Sequence, residues 1–259
     1  IYDNMILFKF YNGVYRMAFE GFSAQTVSFL KENKRQNSRD WYNSHKDIFR
    51  QYVQQPFYDL VEALAPCLTE IDSKIVTVPR YCLCHVYRDT RFSKDKSTLY
   101  RDNMWLTFKR PSREWTQAPC FYFELLPDSF RYGMGYYSAT PHTMMLYRRY
   151  IEWYPDSFRE KIKPLRSLAL DTEFYKRKFS ESYPEDLKEW YISKNVHVSG
   201  GQMGTEGAYT KDLVQIIIQA FLEAAPLYHL MLQLPDMPEL TQEETESPLV
   251  PKNRVEFEW

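Results

Sequence analysis

Apolar positions recur along the first quarter of the chain at three- and four-residue steps, the spacing of one face of an α-helix. Ser23 is placed to cap a helix running to about Glu32, with Val27 and Leu30 on one side. Asn33 to Asn37 reads as a polar break. Ser38 then starts a stronger helix striped by Trp41, His45, Ile48, Phe49, Tyr52 and Val53. Pro56 fits the first turn of the next helix, whose stripe is Leu60, Val61, Leu64 and Leu68 and whose end falls near Asp72.

The pattern changes in the middle. Segment 78–88 is β-branched and aromatic, with Pro79 near its start, and reads as a strand. Segments 104–109, 120–126 and 130–137 read as further strands, separated by Pro111 and Ser112 and by Pro127 and Asp128. Short connections favour antiparallel neighbours. Gly133 and Gly135 flank Met134 within a strand. Alternate glycines leave one face bare and predict a bulge or the close approach of another group. Beyond Pro141 the pattern is helical to about Trp153, Asp156 caps 157–163, and 166–190 reads as helical and charged. A strand-like piece, 191–198, precedes a loop from Ser199 to Gly207 that holds four of the eight glycines. A last helix opens at Thr210, carries Leu213, Ile217, Phe221 and Ala224, and is closed by Pro226. Helices, then consecutive strands, then helices predict an α+β fold. Its central, mostly antiparallel sheet spans about residues 78–137, with N- and C-terminal helices on either side in sequence.

At 259 residues the chain suits one large domain, and 17% aromatic content argues for a packed globule. We expect a domain over 17–235. Residues 1–16 precede the start-like Met17-Ala18-Phe19 and read as an N-terminal extension. Residues 236–259 carry seven Asp or Glu against Lys252 and Arg254, an acidic tail. Four irregularly spaced cysteines point to free thiols in a reducing cytoplasm. No apolar run approaches the roughly 18 residues of a membrane span, and no secretory signal is expected. Cys82, Cys84 and His85 lack a second pair at zinc-like spacing, so neither metal nor cofactor is expected. His45, on an apolar stripe, reads as a core histidine.

Net charge is only −1, so any site for an anion must be local. One segment supplies it. Between Arg80 and Arg113 stand nine Lys or Arg against Asp89, Asp95 and Asp102. The run Tyr87 to Lys96 alone holds Arg88, Arg91, Lys94 and Lys96. Like charges repel, so such a gathering needs internal carboxylates or an anionic ligand as its counterpart. Arginine presents a planar fork matched to phosphate or carboxylate, and lysine adds a mobile point charge. On 120–126, Tyr122 and Glu124 share a strand face between Phe121 and Phe123. A carboxylate among apolar neighbours can serve as a general acid or base, or can simply pair with an arginine. The glycine loop 199–207 has amides that could cradle a phosphate, but Glu206 opposes an anion and the P-loop ending is missing.

At the basic run the chain resembles a bacterial family of conserved hypothetical proteins, a domain of unknown function. The family's hallmark is Arg-x-x-Arg-Asp-x-Arg-Phe, then Asp-Lys, then a Tyr. Arg88, Asp89, Arg91, Phe92, Asp95, Lys96 and Tyr100 match it, with His85 where the first arginine stands and one extra residue before Tyr100. The resemblance covers most of 19–235 and includes Asn37-Ser38-Arg39-Asp40-Trp41, Phe121 to Glu124, Gly133-x-Gly135 and Pro226-Leu227. It implies no particular reaction.

The residues therefore predict a pocket for a small phosphate- or carboxylate-bearing ligand. Arg88 and Arg91 clamp it, Lys96 adds charge, Asp89 orients the arginines, Tyr100 and Tyr122 line the wall, and Glu124, with Asp89, is the candidate acid or base. Nucleic acid is not an expected partner, because the charge is confined to one segment, and without a long apolar run a membrane is not expected either. The alternative is a non-enzymatic interaction module. Its basic cluster would be a structural ion-pair network or be covered by the acidic tail (Glu243, Glu244, Glu246).

Overall fold

The computed structural model describes residues 19–91, 96–111, 117–176 and 183–237. The N-terminal extension, the acidic tail beyond Met237, and Phe92 to Asp95 lie outside the described residues, and with them the expectations placed on Lys94, Asp95 and the tail.

The N-terminal helices begin where the serines place them. Helix α1 spans Ala24–Gln36, with the Ser23 backbone N–H donating to Thr26 Oγ1 at 3.2 Å. It runs through the expected break at Asn33 and ends one turn later. There Asn37 takes up the left-handed conformation, φ 47°, a geometry Asn tolerates better than most side chains. Ser38 caps α2, Arg39–Ser44, its Oγ accepting from the Trp41 N–H at 3.3 Å. Helix α3 (Lys46–Phe49), a π-turn (Arg50–Gln54) and α4 (Gln55–Ile71) follow without a gap. Tyr42, Phe49 and Val53 face the core, whereas Ile48 is exposed. His45 is half-buried, its ring stacked on Trp41 at 4.1 Å.

The sheet is antiparallel throughout, as expected, and fully formed from Met104 onward. Its strands are β1 (Met104–Phe108), β2 (Pro119–Leu125), β3 (Ser129–Tyr136), β4 (Ala169–Leu170) and β5 (His197–Met203), in the order β1-β2-β3-β5-β4. Alternation sorts its faces. Leu106, Phe121, Phe123, Met134 and Val198 are buried beneath the long helix α9, Leu213–Gln233, and the end of α4. Trp105, Thr107, Tyr122, Arg131 and Ser199 are on the opposite face and keep some exposure. By length and composition alone Leu213–Asp236, mean hydropathy 1.4, could cross a membrane. Here it is the central helix of the core.

Five expectations need correction. Segment 78–88 is not a strand. Pro79 opens a one-turn helix, α5 (Pro79–Cys82), and the chain beyond touches the sheet edge only through the single bridges Leu83–Leu106 and Tyr87–Tyr100. After α6 (Pro141–Trp153) and α7 (Pro155–Ile162), the expected helix over 166–190 is, among the described residues, β4, non-helical chain to 176, a 3-10 turn (Glu185–Leu187) and the start of α8 (Lys188–Ile192), and 191–198 divides between the end of α8 and the start of β5. Strand β5 itself runs on into the glycine-rich stretch, so Gly200 and Gly201 sit in register with Tyr132 and Arg131 instead of in the expected loop. Pro226 lies inside α9. It removes one backbone hydrogen bond, but Leu227, Tyr228, Leu230 and Met231 are all buried, and that burial carries the helix through.

Gly133 and Gly135 bear out the expected close approach. A Cβ on Gly133 would collide with the Val198 carbonyl and come within 2.9 Å of the Tyr122 ring. One on Gly135 would meet the His197 ring at 2.9 Å. The two rings stack 5.2 Å apart over the bare strand.

Candidate functional site

The described ends of the basic run, Tyr87 to Arg91 and Lys96, belong to the two facing limbs of an arm. Two backbone hydrogen bonds close it, Arg88 N–H to Leu99 O at 2.8 Å and Arg101 N–H to Val86 O at 3.1 Å, around the Tyr87–Tyr100 bridge. Helix α1 grips the returning limb from the side. The Asn37 amide donates from Nδ2 to Ser97 O and accepts at Oδ1 from the Leu99 N–H, both at 2.7 Å. Tyr42, Tyr87 and Tyr100 pack together behind the arm, with ring centroids 5.1 to 5.6 Å apart.

An open cleft of about 340 Å³ lies at the base of the arm. Three cations line it: Lys34 from α1, Arg88 from the outgoing limb and Arg101 from the returning limb. Thr98, Tyr100, Asp102 and Asn103 complete its walls. Lys34 Nζ pairs with Asp102 Oδ2 at 2.7 Å. Arg101 is held on two sides, its guanidinium 4.6 Å from the Trp105 ring centre and its Nε donating to Tyr87 O at 3.2 Å. Its two terminal amino groups have no acceptor among the described residues. Tyr100 is fully buried, and its hydroxyl makes no hydrogen bond with the described residues. Burial, and then the neighbouring Tyr87 and Tyr42 phenols, push its pKa up, so it stays protonated.

The other predicted site residues divide. Asp89 and Arg91 pair with each other, Arg91 Nε to Oδ1 at 3.1 Å and an amino group to Oδ2 at 2.8 Å. The Arg91 hydrogen bonds hold the Asp89 carboxyl down at about 2. This exposed chelate stands apart from the residues lining the cleft, and Lys96 is exposed as well. Glu124 is buried on β2, accepting from Asn103 Nδ2 at 2.5 Å and from Arg131 Nε at 2.6 Å. It reaches the cleft only through Asn103. Tyr122 is on the same sheet face, one row further, stacked on His197. Burial, above all, raises its pKa.

Part of the charge cluster is structural. Arg110 turns inward to Asp72, Nε to Oδ2 at 2.5 Å, and the Tyr228 hydroxyl donates to the same oxygen at 2.7 Å. Arg80 lies 4.6 Å from the Tyr81 ring centre. Cys82 and Cys84 do not form a ligand pair. Burial pushes their thiols up to about 12 and about 11, and His85 is exposed. Among the described residues no three His, Cys, Asp or Glu converge as metal ligands do.

Lys34, Thr98, Arg101, Asp102 and Asn103 are the cleft residues that motif reading did not select. Lys34 precedes the motif residue Asn37 by three positions on the same helix, and Arg101 precedes Trp105 by four. Arg101 and Asp102 also fall within the charged stretch from Arg80 to Arg113.

Compared with curated proteins, the chain has no match. Compared with protein families, residues 25–230 match the one described as conserved hypothetical protein, DUF2461. That span takes in α1, the arm, the whole sheet and most of α9. The chain belongs to this DUF2461 family of conserved hypothetical proteins.

Proposed function

We propose that the chain binds a small anionic ligand, bearing phosphate or carboxylate, in the cleft between α1 and the arm. The observation that carries this reading is Arg101. Trp105 and the Tyr87 carbonyl hold its guanidinium still, while both amino groups lack a protein acceptor among the described residues, beside Arg88 and Lys34. A fixed fork loses little entropy on binding an oxyanion and can hold it through two hydrogen bonds. Among the residues that line the cleft, the cations Lys34, Arg88 and Arg101 outnumber the one carboxylate, Asp102. A volume of about 340 Å³ is near the small end of ligand pockets, which run from roughly 300 to 1,000 Å³, so a metabolite fits better than a polymer.

Glu124 is the nearest buried carboxylate, and its engagement with Asn103 and Arg131 supports a role in shaping the wall more than in moving protons. The reading as a structural ion-pair network is supported at Asp89–Arg91 and Asp72–Arg110, outside the cleft. The two readings separate in calorimetric titration with inorganic phosphate. Arg101→Ala and Arg88→Ala should each weaken binding at least about tenfold, the value of one lost charge-assisted bond. Arg91→Ala should leave binding within about twofold, since an exposed pair contributes little. Equal losses in all three variants, or none, would reject the cleft.

A further inference from the structure

The walls of the cleft are not uniformly cationic, and the exceptions say what else the ligand must carry. Asp102 spends one carboxylate oxygen, Oδ2, on Lys34. Its other oxygen accepts no hydrogen bond among the described residues. Asn103 donates its amide N–H to Glu124, which fixes the orientation of the amide and leaves its own carbonyl oxygen without a donor among the described residues. Both residues line the cleft beside Arg101.

A bare oxyanion is poorly suited to such a place. It would answer Arg88 and Arg101, but its negative charge would be repelled by the Asp102 carboxylate, and it carries no donor placed apart from the charged oxygens to meet that acceptor. A ligand with an anionic head and neighbouring donors meets both demands at once. The walls thus separate into a donor side, Arg88 and Arg101, and an acceptor side, Asp102 and Asn103. Because the two sides derive largely from consecutive residues, 101–103, the anion and the donors must be close together on the ligand. A phosphate one or two carbons from a hydroxyl has that spacing.

Resting on the anion-binding reading above, we infer that the cleft selects a phosphorylated polyol, with its phosphate on Arg88 and Arg101 and vicinal hydroxyls donating to Asp102 and Asn103. Hydroxyls, not an ammonium, are the better match to the acceptor side, because Lys34 already supplies the positive charge that neutralises Asp102.

Three probes test this by calorimetry: inorganic phosphate, propyl phosphate and glycerol 3-phosphate, the last two differing in hydroxyls and not in chain length. The intact protein should bind glycerol 3-phosphate about tenfold more tightly than propyl phosphate, as expected for one hydrogen bond to a charged acceptor. Asp102→Ala should abolish that preference, glycerol 3-phosphate and propyl phosphate then binding alike. Asp102→Asn, which retains an acceptor oxygen, should keep part of the preference and guards against a packing defect in the alanine variant. Equal affinity for the two esters in the intact protein overturns the inference and leaves anion binding standing. A preference that survives Asp102→Ala overturns it too, since the hydroxyls would then be read elsewhere. Failure of all three phosphates to bind removes the anion-binding reading itself.

Discussion

Asn37 binds both sides of residue 98: its amide holds Ser97 O and the Leu99 N–H, each at 2.7 Å, while its own backbone ends α1. One side chain thus ties the helix that carries Lys34 to the limb that carries Arg101. Asn37→Gly keeps the left-handed backbone and removes only the clamp. It should weaken phosphate binding about tenfold while shifting stability by roughly the value of two net hydrogen bonds, about 1–3 kcal/mol. Asn37→Ala should cost about 1–2 kcal/mol more, because alanine pays for φ 47°. Urea denaturation of both variants beside phosphate titration separates the two effects.

Asp72 gives a prediction that depends on pH. Burial alone would raise its pKa, but the hydrogen bonds from Arg110, Tyr228 and the Lys74 amide outweigh that and leave it below the usual carboxylate value. A folded-state pKa below the unfolded one stabilises the protein fully above the unfolded value and ceases to do so as pH falls through the folded value. Arg110→Ala leaves Asp72 buried with a weaker set of partners. Since Arg110 is one-third exposed, we expect the low end of the cost of breaking a buried pair, about 3 kcal/mol at pH 7. The gap between variant and wild type should narrow as the carboxyl protonates. Urea melts at pH 7 and at the lowest pH where the wild type stays folded measure it, and a gap that widens towards acid would contradict the account.

Gly133→Ala tests the sheet's bare face. The added methyl would meet the Val198 carbonyl and the Tyr122 ring, and the carbonyl, being strand backbone, cannot turn aside. We expect a loss of about 2–3 kcal/mol, typical of overpacking, and a displaced Tyr122 ring visible in aromatic NMR shifts. Gly207→Ala is the control, because the nearest atom there, Gln202 Oε1, is the end of a flexible side chain.

Glu124→Gln replaces an acceptor by a group that must present an N–H to Asn103 Nδ2 or Arg131 Nε. A donor would then face a donor in a buried place, at a cost of about 1–3 kcal/mol. Phosphate affinity should fall modestly, since Asn103 loses its support. An affinity left intact together with a large stability loss would separate Glu124 from the cleft altogether.

Much of the fold could be read from local pattern. Ser23 and Ser38 cap helices because their side chains and backbone serve the first-turn amides, β1 alternates buried and part-exposed positions, and Pro111 and Pro127 mark the breaks between β1, β2 and β3. Where context outweighed local preference, the pattern misled. Pro79 imposed a helical turn on a β-branched stretch. Burial of Leu227 and Leu230 carried α9 past Pro226, and β3 recruited the glycines of β5 into the sheet despite their weak strand preference. The candidate site was legible as a charged segment but not as a cleft. Arg88 and Tyr100 lie in it; Arg91 and Asp89 form their own chelate, and Tyr122 belongs to another part of the sheet. Lys34 is more than fifty positions from Arg88 in sequence, and only the fold brings them to the same cleft.

The most direct measurement is a crystal structure determined with phosphate at saturating concentration. The account predicts a phosphate within hydrogen-bond distance of the terminal amino groups of Arg101 and of Arg88, in the cleft beside Lys34. Phosphate on the exposed Arg91 alone, with the cleft holding only water, would contradict it.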